Sequence, residues 1–521
     1  IAFTLIFLAL AISAYAIFQF LKDSDYVWGF IKPYRHRGSG TYICPNHLGG
    51  FLELLLPLAM AYAMTGRLKP VTRVLVGYAA LVILAGIAVT LSRGAWVSTT
   101  LALALFFGAL MFRRQHRFPA LALAAVVVFA GVFAVARSDY IDERLKQLVS
   151  PQGRPGEDMR VALWGPAWQM WRDHLFWGVG PAHYDTRFRG YRPEAVQLTP
   201  DRAHNDYLNT LADWGLVGTV LVVSAWVLLG VGVAQTWRSR RLAPSDIGGK
   251  TTSNKYAFLL GATLGLVALL AHSFVDFNMH VPANAILVVT LMALLSAHLR
   301  FATERFWFRA RLWTNLAVSL AAVGAAVYLG PRAFRQAAEF VWLDRAEKAP
   351  SFSTKQIALL KRAFALDPGN PFTAYKIGEA LRRQSQEGGE HYEGQEGMDY
   401  RKLASEAMRW FRIGMQLNPW DSRNYAQYGW CLDWLDRPGE AAAYFQRAEE
   451  LDPNNYYNLD NIGLHYVSLG EYAAARPWFE RSARLEWVGN DIATAYLKII
   501  RGRLLESATN SANPAPSPGP K

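Results

Sequence analysis

Long apolar segments alternate with short polar links through the first 330 residues of the chain. A membrane-spanning helix needs about 20 mostly apolar residues, and nine segments come close to that length. They are residues 1–20, 48–64, 74–91, 94–112, 119–137, 214–236, 256–275, 281–298 and 314–330. Because lipid offers open backbone groups no hydrogen-bond partner, these segments are predicted to be helices. The second segment is short and carries Glu53.

The links between these segments differ in charge, and the difference predicts their orientation. Four short links are rich in Lys and Arg, which is typical of cytoplasmic loops. They are residues 65–73, 113–118, 237–255 and 299–313. The outward-facing parts are then 21–47, 92–93, 138–213, 276–280 and everything after 331. Arg93, His204 and the C-terminal region are therefore expected on the same, outer face of a membrane.

Composition supports a membrane domain followed by a soluble one. Charged residues make up 18% of the chain, against about 25% on average, and the deficit lies in residues 1–330. The net charge is +13, and the basic residues that produce it cluster in the links. This pattern indicates a membrane topology signal, and no nucleic-acid partner is expected. Cys44 and Cys431 are the only cysteines, so neither a disulfide framework nor a cysteine metal site is expected. The chain begins at Ile1 inside an apolar segment, and we expect further spans before it.

Residues 331–505 contain a repeat with a period of 34 residues. The period separates equivalent positions of three kinds: Leu417 and Leu451; Ala407, Ala441 and Ala475; Phe411, Phe445 and Phe479. This spacing, with A-x3-F and a closing Pro, is typical of tetratricopeptide repeats, whose helix pairs stack into a solenoid with a concave binding surface. A polar insertion is expected near 385–400, and a disordered tail at 506–521.

The predicted fold is therefore all-α, with a polytopic transmembrane helical bundle in 1–330 and a soluble α-solenoid in 331–505. Repeats of this kind usually bind other molecules. We expect this array to contact a partner protein, a glycan or the outer loop 138–213.

The outer loop 138–213 is the longest link between spans, and such loops are usually functional or disordered. Its many aromatics argue against disorder. Arg160, Trp164, Trp168 and Trp171 fall on one face of a predicted helix, which suits the membrane headgroup layer. Packing of an interfacial helix on the bundle accounts for the tryptophans. Four arginines follow, and they can bind an anionic lipid head, a diphosphate or an acidic glycan, or simply lie on a solvated face. They are Arg187, Arg189, Arg192 and Arg202.

Two residues at the outer face are open to two interpretations each. Arg93 lies between two spans with almost no loop, where an arginine is costly and usually has a partner or a function. For an isolated arginine, an interfacial anchor is the simpler interpretation. His204 precedes an apolar segment and is either a working base or a polar residue at the rim of a helix.

Five separated segments resemble one family, the O-antigen ligase and polymerase superfamily of bacterial membrane glycosyltransferases. They are CPNHLGGFLELLLPLAM (44–60), LSRGAW (91–96), MRVALWGPAWQMWRDHLFWGVGPAHY (159–184), AHNDYLNTLADWGLVG (203–218) and HSFVDFNMHVPANAILVVTLMALL (272–295). Each segment is weak alone. Together they follow the family order, with a long outer loop between spans. Many relatives also carry C-terminal tetratricopeptide repeats.

The resemblance implies transfer of a glycan from a polyprenyl diphosphate carrier to an acceptor hydroxyl at the periplasmic face of the bacterial inner membrane. The acceptor is a lipid, a protein or a growing glycan. Arg93 and Arg160 match the arginines that hold the diphosphate, and His204 matches the histidine that serves the acceptor. Further substrate-binding and supporting residues are expected to be Arg202, Asn205, Asp206 and Arg189. Asp276 and His280 can line the site or pack at its rim.

The residue types fit this chemistry independently of the resemblance. A diphosphate leaving group needs its developing charge stabilised, and arginines can do this without a metal. The acceptor hydroxyl needs a base active near neutral pH, and an unperturbed histidine, with a pKa of about 6.5, suits that role. No acidic pair stands out in the outer loops, so neither a metal nor another cofactor is predicted.

Three alternatives remain at this point. A glycan polymerase of the same superfamily would use the same motifs as a ligase. A non-enzymatic membrane scaffold would recruit outer-surface proteins through its repeats, but it has no need for Arg93, Arg160 and His204 together. Membrane lipids are expected partners in either case. A transporter is weaker, because the sequence shows no inverted repeat or paired broken helices.

Overall fold

The computed structural model describes residues 1–112, 117–137, 159–238, 253–299, 311–387, 400–485 and 490–512. Several predicted features lie outside these residues. They are Arg113 and Arg114, most of the basic links 237–255 and 299–313, the loop portion 138–158, most of the polar insertion and the tail from 513. In the described residues helices dominate, and the only strands form one short hairpin, Tyr26–Val27 with Phe30–Ile31. The all-α prediction is confirmed.

The chain divides into two compact units. The first comprises Ile1–Tyr184 and Asp201–Phe308, and the second comprises Asp185–Pro200 and Arg309–Lys521. Residues 185–200, a part of the predicted outer loop, therefore belong to the second unit. Residues 309–330 belong there too, so the division differs from the predicted boundary at 330.

The first unit consists of apolar helices joined by short links. They are α1 (Ala2–Leu21), α2 (Pro45–Thr65), α3 (Pro70–Val89), α4 (Arg93–Met111), α5 (Arg117–Arg137), α6 (Met159–Asp173), α7 (Tyr184–Phe188, which reaches the second unit), α8 (Asp206–Arg238), α9 (Asn254–His272) and α10 (Pro282–Leu299). Short 3-10 turns lie at Arg189–Tyr191 and Asn278–His280. Helix α2 is the most buried of the long apolar helices and packs against α1, α3, α4 and α9.

Each of the nine predicted spans coincides with a helix. In the described residues seven helices are long and apolar enough to cross a membrane, namely α1 to α4, α8, α9 and α11 (Leu312–Glu347). The other two contribute shorter apolar stretches, Arg117–Val127 and Pro282–His298. Many outward-facing side chains of these helices are large and apolar, as expected for surfaces in contact with lipid.

The second unit begins with α11 and continues as helix pairs. They are α12 (Thr354–Leu366), α13 (Pro371–Glu387), α14 (Tyr400–Leu417), α15 (Ser422–Trp434), α16 (Pro438–Leu451), α17 (Tyr456–Ser468), α18 (Tyr472–Arg484) and α19 (Asp491–Ala512). The repeating phenylalanines each fill the space beside a glycine of the preceding helix, where a Cβ would lie 2.7 to 3.1 Å from the ring. These pairs are Gly378 with Phe411, Gly429 with Phe445 and Gly463 with Phe479. The packing thus follows the period found in the sequence.

Two predicted boundaries differ from the helices observed. Helix α11 runs without a break from Leu312 to Glu347, since Pro331 removes one internal hydrogen bond but does not end the helix. Helix α19 continues to Ala512, seven residues into the segment predicted to be a disordered tail from 506. The first proline after it is Pro514, and the residue before a proline disfavours helix, which explains an end near this point.

Asp460 in α17 makes the stability of the second unit depend on pH. Its surface is 1% exposed, and within the described residues neither carboxylate oxygen has a hydrogen-bond partner. Burial raises the pKa of Asp460 to about 7, although the Ser482 hydroxyl acts weakly in the opposite direction. The fold thus favours the protonated acid. Protonation of Asp460 therefore contributes to the free energy of unfolding. This contribution is complete below the ordinary pKa of 3.8 and is lost as the pH rises through about 7.

We therefore expect Asp460→Asn to raise the free energy of unfolding of the second unit at pH 8, by at most about 4 kcal/mol. The substitution should also flatten the decline between pH 4 and 7, which thermal unfolding of the full chain across that range would measure. Glu440→Gln, at an exposed position, is the matched control. Parallel pH profiles for wild type and Asp460→Asn would contradict the assignment.

Candidate active site

Helix α8 is interrupted at its third turn. Residues 175–180 of the outer loop form backbone hydrogen bonds with helix residues on both sides of the interruption. Gly215 has φ +62° and ψ −166°, which breaks the helix. On one side of the break, the N–H groups of Val179 and Gly180 donate to the carbonyls of Ala212 and Asp213. On the other side, the N–H groups of residues 216 and 217 donate to the carbonyls of residues 175 and 176, at 2.8 and 3.1 Å. Four backbone groups at the break, two on each side, are thus paired with residues 175–180.

Gly215 is required at this break for two reasons. Its positive φ favours glycine, and a Cβ there would lie 2.4 Å from the carbonyl oxygen of Phe176. The interruption fixes the loop that follows α6 against the first two turns of α8. It therefore fixes the surroundings of residues 203–206, which lead into that helix.

The start of α8 is held by its own polar side chains. The Asn205 side-chain oxygen accepts from the N–H groups of Tyr207 and Leu208, which makes Asn205 the N-cap of the helix. The Asn209 side chain in turn accepts from the N–H of Ala203 at 2.9 Å. His204, which lies between Ala203 and Asn205, has φ +49°. A residue with a Cβ keeps this left-handed conformation only where the surrounding turn is held firmly.

His204, Arg160 and Asp276 come together around one buried carboxylate. Nδ1 of His204 lies 3.5 Å from Oδ1 of Asp276, and Nη2 of Arg160 lies 3.6 Å from Oδ2. Arg160 Nη1 also donates to the carbonyl of Val275 at 2.8 Å. The Asp276 side chain is 1% exposed, whereas those of His204 and Arg160 are about one-third exposed. A buried acid therefore holds two partly open cationic or basic groups.

The environment keeps Asp276 ionised. Burial alone would raise its pKa, but the neighbouring His204 and the positive charge of Arg160 outweigh burial and hold the pKa of Asp276 well below its usual range. A permanently charged carboxylate is the group that orients a histidine ring and stabilises its protonated form.

Arg93 opens α4 beside the same turn. Ser92 caps the helix by accepting from the N–H of Ala95. Gly94, which follows Arg93, packs tightly against the turn that carries Asp276. A Cβ at Gly94 would lie 2.5 Å from Nε2 of His272 and 3.1 Å from a methyl carbon of Val275. The backbone at Arg93 therefore adjoins the 272–276 segment to which Arg160 is bonded.

The other sequence-predicted residues have different surroundings. Asp206 is fully buried and accepts from Ser273 Oγ at 2.8 Å and from the N–H of Met279 at 3.0 Å, and His280 Nδ1 lies 2.6 Å away. It braces the turn between α9 and α10. Arg202 is partly exposed and donates to the carbonyl of Asp201.

Arg189 lies in the second unit, where its guanidinium is paired with Asp421. Arg189 is buried in this contact, and its expected role in substrate binding stays a prediction. The loop arginines look alike in sequence, and only their partners separate them.

The structure adds residues that sequence reasoning did not select. The rings of His47 and His204 both contact the ring of Phe277, with ring centroids 5.0 and 4.9 Å away. Arg37 donates to the carbonyl of Thr90 and to the Asn46 side chain, both at 2.7 Å, and so ties the first outer loop to the turn before Arg93. Their apolar or loop-like surroundings carried no signal in the sequence.

Glu53, His272 and Ser98 form a buried polar cluster inside the helix bundle. Nδ1 of His272 lies 3.0 and 3.2 Å from the two carboxylate oxygens of Glu53, and the Ser98 hydroxyl donates to Glu53 at 2.5 Å. Both Glu53 and His272 are fully buried. An acid within a membrane helix is costly unless it is paired, so this contact explains Glu53 in an otherwise apolar segment.

Removing one partner of this contact should destabilise the first unit strongly. We expect Glu53→Ala to lower the free energy of unfolding by about 3–5 kcal/mol, because His272 is left buried without its carboxylate. Thermal unfolding in detergent or nanodiscs would measure the loss, with Thr100→Ala at an exposed position of α4 as control. A change below about 1 kcal/mol for Glu53→Ala would show that the pair is not a stabilising contact.

Metal ligands do not gather at this site. Across the described ranges, no group of three or more His, Cys, Asp or Glu side chains has an arrangement that could hold a metal ion. The reactive groups that contact one another at the site are the Arg160 guanidinium, the His204 ring and the buried Asp276 carboxylate.

A bundle of long apolar helices with a polar cluster at the ends of several of them defines a multi-pass membrane protein. Two family models match the chain: the O-antigen ligase family at residues 52–223 and the tetratricopeptide repeat at residues 422–455. No curated protein matches it. The match at residues 52–223 thus supports an O-antigen-ligase-like membrane enzyme that transfers glycosyl groups, and tetratricopeptide repeats follow it in the chain.

Proposed function

We propose that this enzyme transfers a glycan from a polyprenyl diphosphate carrier to an acceptor hydroxyl at the periplasmic face of the bacterial inner membrane, without a metal ion. The observation that carries the proposal is the contact of Asp276 with both His204 and Arg160. It joins a base to a cation at one partly open site. The family match supplies the reaction class, a lipid-linked glycan donor and an acceptor.

His204 acts as the general base in this proposal. With Nδ1 directed at Asp276, the other ring nitrogen is left to take the proton of the acceptor hydroxyl. The acceptor oxygen then bonds to the anomeric carbon, and the bond from that carbon to the diphosphate oxygen breaks. Because Asp276 stays ionised, it stabilises the imidazolium that forms. A single displacement of this kind inverts the anomeric centre.

Arg160 and Arg93 serve the leaving group. The departing diphosphate keeps the electron pair of the broken bond, and guanidinium groups bind such charge with strong, directional hydrogen bonds. Arg160 is held by Val275 and Asp276, so its direction is set before substrate binds. Arg93 stands at the first turn of α4, where the helix end also favours an anion. Arg202 is the additional substrate contact, while Asn205 and Asp206 support the turn.

The test is glycan transfer in membranes from a polyprenyl-diphosphate donor, with lipid, protein and glycan acceptors offered separately, each with and without a chelator. We expect product with at least one acceptor, and the acceptor used distinguishes a ligase from a polymerase. Activity that vanishes with chelator and returns with a divalent cation would overturn the metal-free mechanism. Binding of outer-surface proteins without transfer to any acceptor would favour a scaffold.

A further inference from the structure

Residues 185–200, which we call the docked segment, lie within the repeat unit although they are part of the outer loop in sequence. Arg192 is their main attachment. Its Nε and Nη2 lie 2.7 and 3.0 Å from the two oxygens of Asp452, and both side chains are 1% exposed. The ion pair is therefore bidentate and buried, the strongest form of arginine–carboxylate contact.

Arg192 also organises the docked segment itself. Its Nη1 donates to the carbonyls of Val196, Gln197 and Leu198 at 2.9 to 3.1 Å, and its Nη2 donates to the Thr199 hydroxyl at 3.2 Å. One guanidinium thus joins the repeat to four consecutive residues of the loop, 196–199. If it leaves Asp452, the carbonyls of that stretch lose their fixed orientation too.

A second attachment lies in the turn that precedes α15, about one repeat earlier in the chain. Arg189 pairs with Asp421, and Arg187 lies over the ring of Trp420 at 3.8 Å. Burial opposes ionisation of Asp421, but Arg189 and Arg423 outweigh it and hold the pKa of Asp421 below its usual range. The acid is therefore charged when it holds the loop.

Backbone and amide contacts complete the docking. The Gln197 side chain donates to the carbonyl of Asn454 at 2.9 Å and accepts from the N–H of Tyr456 at 3.1 Å. The Asn454 side chain donates to the carbonyl of Arg192 at 2.8 Å. Asp421 and Asp452 both lie in the turns that precede the first helix of a repeat, since α15 begins at Ser422 and α17 at Tyr456. The inter-repeat turns are thus the surface that holds the loop.

We propose that the repeat domain is an internal clamp whose ligand is the docked segment, and that this clamp sets the position of His204. The proposal rests on the function proposed above. His204 follows Thr199, the last residue held by Arg192, by five residues, which span at most about 18 Å when extended. The chain between the docked segment and the catalytic turn is therefore short, and Arg192 and Asp452 act on His204 through it as positioning residues, in addition to the contacts of Asn205 and Asn209 that hold the turn itself.

Trypsin tests the clamp without reference to activity. Arg187 and Arg189 are trypsin sites, and Arg189 is buried in the clamp. In membranes, we expect Asp452→Asn and Asp421→Asn to raise the rate of cleavage after these two arginines at least tenfold over wild type. Glu450→Gln, which alters an exposed acid of the same repeat, is the matched control. Equal cleavage in wild type and both aspartate variants overturns the clamp.

Kinetics of the same preparations test the positioning. We expect Asp452→Asn to lower kcat by about 10- to 100-fold, because small displacements of a catalytic group have effects of that size, while KM for the donor changes little. Because Asp452→Asn could disturb the repeat, Arg192→Met gives the loop-side test and should have the same effects. Combining Arg192→Met with Asp452→Leu replaces the pair by apolar side chains and should restore part of the protection and of kcat.

The outcomes separate the two proposals. Increased cleavage with unchanged kcat overturns the positioning of His204. A wild type that is protected from trypsin yet transfers no glycan overturns the proposed function and leaves the clamp supported. Loss of protection and of kcat together, with recovery in the double variant, supports both.

Discussion

His204→Ala should lower kcat by about 100- to 10,000-fold, the range expected when a general base is removed. The variant lacks the group that accepts the acceptor proton, while Arg93 and Arg160 remain to bind the donor. KM for the donor should therefore change much less than kcat. Transfer assays at saturating donor, with varied acceptor, would measure the split.

His183→Ala is the matched control for this substitution. His183 is an exposed histidine of the same outer loop, its Nδ1 lies 2.8 Å from the carbonyl oxygen of Pro181, and it has no role in the proposed mechanism. It should retain activity close to wild type. Full activity of His204→Ala, in protein that remains folded and membrane-inserted, would reduce His204 to a polar residue at the start of α8.

Arg160→Ala should lower kcat by about 100- to 1,000-fold, as expected for loss of one donor that stabilises developing charge. Arg160→Lys keeps the charge but loses the paired geometry with Val275 and Asp276, so it should recover only part of the rate. Both variants, with donors carrying better and poorer leaving groups, should be compared in the same membranes. A leaving-group effect that grows in Arg160→Ala would place the arginine at the diphosphate.

Arg172→Ala controls for the loss of any arginine from α6, because Arg172 lies on the same helix and is exposed. It should leave kcat unchanged. If Arg160→Ala has no more effect than Arg172→Ala, the role of Arg160 is limited to holding the turn at Val275.

The helices and the repeats could be predicted from the sequence because each leaves a periodic trace. Spans are long and apolar, and the Phe411, Phe445 and Phe479 series recurs at a fixed interval. The break at Gly215 left no such trace. It depends on backbone groups of residues 175–180, which no pattern of side chains reveals.

The candidate site could be predicted in part. His204, Arg160 and Arg93 stood out because charged or titratable residues are rare beside membrane spans. Asp276 was only one of several polar residues in a turn until its two partners were known. The loop arginines could not be separated by sequence, since Arg189 and Arg192 differ from Arg202 only in the distant aspartates that they meet.

The interrupted helix α8 also bears on how the protein is made. A helix that enters a membrane with unpaired backbone groups is strongly disfavoured, and the break at Gly215 exposes several of them. The residues that pair with them, 175–180, precede α8 in the chain and are therefore synthesised first. Residues 175–180 are therefore already present when α8 emerges from the ribosome and can pair with its broken turn at once. The order of translation thus matches the order in which the loop and the helix must assemble.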